Sequence, residues 1–157
     1  MVSSRKDEEE VLSQLKAHLF EHPNSAPLHY NLGLAYARRG AMDEAISELK
    51  QAITINPGLV EAYVNLGGLY FRKGNLEACI QQNRKALELN PEFAQAYCNL
   101  GLAYFQQGSY EEAAAQYLKA LELEPRLLQA RVNLANSYLK QDNLEAAIKE
   151  SQKALEV

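Results

Sequence analysis

The sequence predicts an all-α solenoid of antiparallel helix pairs, and three recurrences among its 157 residues predict it. Prolines stand at Pro23, Pro57, Pro91 and Pro125, a constant step of 34 residues from which only Pro27 departs. Asparagines keep the same step at Asn31, Asn65, Asn99 and Asn133, and tyrosines at Tyr36, Tyr70, Tyr104 and Tyr138. Three residue types on one period mark an internal repeat, and periods of 20 to 50 residues belong to stacked arrays. Inside each period, apolar residues at offsets of three and four trace two amphipathic helices.

The elements follow in order. Residues 1–25 form a half-unit: Leu12–Glu21 reads as a capping helix, with Val11, Leu15 and His18 in the places of Ala45, Leu49 and Ala52. Four units follow at 26–59, 60–93, 94–127 and 128–157. In the second, Tyr63, Leu66, Gly67 and Tyr70 mark the first helix, and Leu76, Cys79, Ile80, Asn83, Ala86 and Leu87 mark the second. A breaker separates the helices at Gly40, Gly74 and Gly108, with Asp142 in the last unit. Asn75, Ser109 and Asn143 then read as N-caps, and Ser109 with Glu112 has capping-box spacing. Asn56-Pro57, Asn90-Pro91 and Glu124-Pro125 stop the second helices. Small residues on the facing sides (Gly33, Gly67, Gly101 and Ala135 against Ala45, Cys79, Ala113 and Ala147) let paired helices approach to about 8–10 Å. One pair cannot bury its own apolar face, so the units must stack.

Composition narrows the function. Sixteen basic residues against twenty acidic ones give a net charge of −4, which leaves no excess of positive charge for nucleic acid. No apolar run approaches the ~20 residues that cross a bilayer, and the first residues lack the apolar core of a leader. A cytoplasmic protein is the expectation. Cys79 and Cys98 are expected to be reduced, small apolar side chains.

A unit carrying Tyr63-x-x-Leu-Gly-x-x-Tyr70, small residues at Cys79 and Ala86, and Pro91 resembles the tetratricopeptide repeat. The third unit, with Tyr97, Leu100-Gly101, Tyr104, Ala113, Tyr117, Ala120 and Pro125, resembles it more closely. The likeness covers residues 26–157. It departs from the pattern where a tryptophan often opens the motif, since His29, Tyr63, Tyr97 and Arg131 stand there. At the bulky aromatic of the second helix stand Leu49, Asn83, Tyr117 and Ser151. The resemblance implies a right-handed superhelix whose first helices line a concave groove, and an adaptor that grips a protein or peptide partner.

Carried over position by position, the groove consists of Tyr30, Asn31, Leu34 and Arg38; then Val64, Asn65, Phe71 and Arg72 beside Glu61 and Gly68. Cys98, Asn99, Leu102 and Phe105 follow beside Gln95 and Gln106, then Val132, Asn133, Asn136 and Lys140 beside Gln129 and Leu139. Asn31, Asn65, Asn99 and Asn133 form a ladder whose amides match a peptide backbone, or else bond the array's own backbone. The apolar members predict a partly apolar ligand, unless they are core. Arg38, Arg72 and Lys140 favour acidic residues in that ligand, unless they are simply a solvated face. Of the Lys, Asn and Arg set that clamps chaperone C-termini in this family, only Asn65 fits among the matching Tyr30, Leu34, Asn65, Gln95 and Asn99.

No catalytic group is expected. His18, His22 and His29 all precede the first cysteine by many residues, so no nucleophile finds a base. His18 and His22 lack a further ligand for a metal, and no phosphate loop occurs, so no cofactor is expected. Gly67-Gly68 lies within a helix at about 1 kcal/mol per glycine. The residues therefore predict a protein-interaction module without enzymatic activity. Two other readings stay open: a scaffold that self-associates through Leu144, Ile148 and Leu155 of an uncapped last pair, and a targeting domain from a larger enzyme.

Overall fold

The computed structural model describes residues 2–155, with side chains from residue 8 onward. Met1, Glu156 and Val157, counted above with the first and last units, lie outside the described residues. Among those described there are nine helices and no strand. Helix α1 (Val2–Glu21) precedes four antiparallel pairs: α2 (Ala26–Arg38) with α3 (Met42–Ile55), α4 (Val60–Arg72) with α5 (Leu76–Leu89), α6 (Ala94–Gln106) with α7 (Tyr110–Leu123), and α8 (Leu128–Lys140) with α9 (Leu144–Leu155). No described helix is long and apolar enough to cross a membrane.

The turn inside each pair depends on one left-handed residue. Gly40, Gly74 and Gly108 have φ of 77°, 76° and 83°, and Asp142 takes 57° in the last pair. The next amide reaches back to a tyrosine carbonyl: Ala41 to Tyr36 at 3.0 Å, and Asn75 to Tyr70, Ser109 to Tyr104 and Asn143 to Tyr138 at 2.9 Å. This is the Schellman closure, which satisfies carbonyls that the helix end would otherwise orphan. Asn75 and Asn143 cap as expected, their Oδ1 atoms accepting from Ala78 and Ala146 at 3.0 and 3.2 Å. Ser109 does not: it makes no side-chain cap bond, whereas Ser25 Oγ accepts from the Leu28 amide at 3.4 Å.

Within a pair, absent side chains set the separation. A Cβ at Gly101 would stand 2.5 Å from Cε1 of Tyr117, and one at Gly67 would run into the Asn83 amide. Tyr117, Leu49, Leu66, Leu134 and Asn83 are fully buried along these contacts, with Ala45, Ala52, Ala86 and Ala120 between them.

Helix α1 corrects the reading of its residues. It begins ten residues earlier than Leu12, since no glycine or proline interrupts residues 2–11. Leu12 is the buried residue, whereas Val11 and His18 are exposed. Their counterparts Ala45 and Ala52 face the first helix of their own unit, and among the described residues no helix precedes α1 to cover Val11 and His18.

Two of the four pairs carry a polar clamp in place of an aromatic residue. Arg131 donates from Nη1 to Glu150 Oε2 at 2.9 Å and from Nη2 to the Pro125 carbonyl at 2.6 Å. His29 makes the matching contacts, with Nδ1 2.6 Å from Glu48 Oε2 and Nε2 3.0 Å from the Pro23 carbonyl. Tyr63 and Tyr97 stand at this position in the middle units, opposite Gln82 and Gln116. His29 and Arg131 meet a glutamate 19 residues on, and where tyrosine stands the residue 19 on is glutamine.

Candidate functional site on the concave face

First helices of successive pairs touch one another, α4 with α6 and α6 with α8, besides packing on the second helix between them. Among the described residues no pair of second helices comes as close. The first helices therefore converge, and their shared face is the inner side of the curve.

Exposure along that face divides the expected groove residues. Asn31, Arg38, Arg72, Asn136 and Lys140 are exposed, and Tyr30, Leu34, Asn65, Phe71, Leu102, Phe105 and Asn133 are half-buried. Val64, Cys98 and Asn99 are instead interior, at 6%, 3% and 8% exposure. They lie at the seam between units. Val64 packs with Tyr63, Ala86 and Ala96, and Cys98 with Ala113, Tyr117, Ala130 and Leu134, so each is covered by the following first helix. Val132, at the same position of the last unit, is 40% exposed. Burial pushes both thiols up to about 11, so neither is an anionic nucleophile near neutrality.

The asparagines spend much of their bonding inside the array. Asn65 donates from Nδ2 to the Tyr30 hydroxyl at 3.1 Å and to the Glu61 carbonyl at 2.8 Å. Asn99 donates to the Val64 carbonyl at 3.2 Å and to Asn83 Oδ1 at 3.1 Å, and accepts from Gln95 Nε2 at 3.2 Å. Asn83 in turn donates to the Cys79 carbonyl at 2.8 Å. In the last seam the amide nitrogen of Asn133 is buried beside the Tyr117 hydroxyl, and neither makes a bond of normal geometry. Asn65 and Asn99 are thus seam fasteners, whereas Asn133 makes no bond across its seam and Asn31 is exposed.

The sequence reading did not single out Gly68 for its shape. The matching positions hold Leu34, Leu102 and Asn136, and a Cβ at Gly68 would meet nothing within 4 Å. The missing side chain opens a cavity of about 300 Å³ between α2, α4 and α6, floored by Leu34, Val64 and Leu69 and edged by Asn65, Arg72 and Gln95. A larger depression of about 710 Å³ lies along α5, where Arg84 bonds the Tyr104 hydroxyl and Lys85 pairs with Glu88. Among the described residues no three His, Cys, Asp or Glu side chains gather to hold a metal ion.

Comparison with known proteins gives a consistent picture. Family models described as TPR repeat match residues 35–74 and 67–108, and those described as tetratricopeptide repeat match 94–127 and 128–157. No curated protein matches the chain in sequence. Among solved structures, MamA superposes with a TM-score of 0.88 at 28% identity, over 98% of this chain and 90% of that one. MamA 41-end from Desulfovibrio magneticus RS-1 follows at 0.87 and 23% identity, over 98% and 86%. YrrB, a TPR protein with an unusual peptide-binding site, superposes at 0.77 and 22% identity, over 99% of this chain and 80% of that one.

Proposed function

The chain belongs to the tetratricopeptide-repeat family, and on that footing we propose that it is an interaction module that holds an extended peptide segment of a partner along its concave face. The observation that carries this is the inner face itself. Tyr30, Leu34, Phe71, Leu102 and Phe105 leave apolar surface half open there, beside exposed Asn31, Asn136 and the cations Arg38, Arg72 and Lys140. A ligand that buries two or three apolar side chains on such a surface gains about 1.5–3 kcal/mol from each. YrrB, with the same fold, has a peptide-binding site of its own. No catalytic step belongs to this reading.

Selection of a displayed heptapeptide library tests it, with the parent protein run beside Leu102→Glu/Leu139→Glu. Both leucines are at least partly exposed, so the variant is expected to keep its helical circular dichroism. An enriched motif on the parent that the variant loses supports the groove. No enrichment on the parent refutes it.

A second reading has its own observation. Leu128, Val132, Leu139, Leu144, Ile148 and Leu155 of α8 and α9 are all exposed. The matching residues of α2 to α7 are buried or half-buried beneath the following unit. Covering this face with a second copy would make the protein a scaffold. Light scattering over a hundredfold range of concentration should then show mass rising with concentration, and a constant monomer mass rules the copy out.

A further inference from the structure

Within the groove reading on which this rests, we infer that the Gly68 cavity holds one aliphatic side chain of the bound peptide, and that a carboxylate beside that side chain meets Arg72. Three features converge on the cavity. Its size, about 300 Å³, suits one aliphatic side chain with its stretch of backbone and falls at the small end of ligand pockets. Its floor is apolar, and every wall is a helix, so the space is held open by packing rather than by a loop. Leucine occupies the same position in the first and third units, so the fold accommodates a side chain there and the second unit leaves that volume to another molecule.

Charge and hydrogen bonding define the rest of the occupant. Arg72 is the single charged residue in the lining, and it has no carboxylate partner among the described residues. An unpaired guanidinium at the edge of an apolar cavity selects a carboxylate over a cation or a neutral group. Asn65 uses only Nδ2 in its two bonds, and Gln95 uses only Nε2. Their carbonyl oxygens thus remain as acceptors, and an extended peptide presents amide N–H groups to such acceptors. The cavity therefore specifies an aliphatic residue with Asp or Glu next to it or two residues away, held by backbone amides on the Asn65 and Gln95 oxygens.

The test is the heptapeptide selection repeated on Gly68→Leu and on Arg72→Glu, each read position by position. Gly68→Leu installs the residue of the neighbouring units and should melt no lower than the parent, so lost binding cannot come from lost folding. The expected result is an aliphatic-acidic motif on the parent, with aliphatic enrichment reduced about tenfold or more on Gly68→Leu. Arg72→Glu should keep the aliphatic preference and replace the acidic one with Lys or Arg. A parent motif that Gly68→Leu leaves unchanged, while Leu102→Glu/Leu139→Glu abolishes it, overturns the cavity and leaves the groove standing. No enrichment on the parent overturns both.

Discussion

Replacing Glu150 with alanine is expected to destabilise the α8–α9 pair by about 2–4 kcal/mol, a cost typical of removing one member of a largely buried ion pair. Glu150 is 8% exposed, and its two oxygens take Arg131 at 2.9 Å and Lys153 at 2.6 Å. Without it, the Arg131 guanidinium, whose Nε is already buried and unpartnered, loses the carboxylate that it pairs with. Glu150→Gln keeps an acceptor and should cost about half as much. Because units in an array couple mainly to their neighbours, the last pair should open first. Amide hydrogen exchange should show α8 and α9 losing protection while α2 to α5 keep theirs, and uniform loss along the chain would refute the local reading.

The same residue sets a response to acid. Desolvation alone would raise the Glu150 carboxyl, but hydrogen bonds and charge from Lys153 and Arg131 outweigh it and hold the group below its usual value. A carboxyl lowered on folding stabilises the fold fully above its unfolded value of about 4.3, and that stabilisation fades as pH falls through the folded value. The last pair should therefore lose stability below about pH 4.5, and Glu150→Gln should remove that loss. A melting series between pH 3 and 7 on both proteins reads the difference.

The second large effect separates two adjacent glycines. Gly67→Ala drives a methyl into the Asn83 amide between α4 and α5, and overpacking there is expected to cost about 1–3 kcal/mol. Gly68→Ala places its methyl in open space and removes a helix-interior glycine, a gain of about 0.5–1 kcal/mol. Urea unfolding of the two variants should move the midpoint in opposite directions. A shift of the same sign in both would contradict the assigned packing.

These glycines also show what the residues alone could reveal. Period, breaker and stop residues fix each helix and each turn, because a local backbone need such as the left-handed turn at Gly74 is met by a recognisable residue. A 34-residue period cannot say on which side of a seam a position falls. Val64 and Cys98 keep the register of a groove residue yet lie beneath the next helix, and Asn99 turns its amide inward to Asn83. The polar clamps were written in the sequence as a paired exchange, His29 with Glu48 and Arg131 with Glu150 where the matching positions hold Tyr63 and Gln82, and Tyr97 and Gln116. They become visible only when two positions 19 residues apart are read together. Gly68 was legible as a glycine in a helix, but the cavity depends on three helices at once.

The asparagine seams have a mechanical consequence. Between the second and third units, Asn99 ties α6 to α4 and to α5 by one hydrogen bond each. Between the first and second, Asn65 ties α4 to Tyr30 by one. Between the third and fourth, Asn133 and Tyr117 meet without one. The seams are thus fastened by different devices, Asn99 beside the Gly68 cavity and, ahead of α8, Gln141, whose Nε2 donates to the Tyr110 carbonyl at 3.0 Å. The α6 wall of the cavity is therefore pinned by Asn99 on two helices, while its α2 wall is held to α4 by the single Asn65–Tyr30 bond.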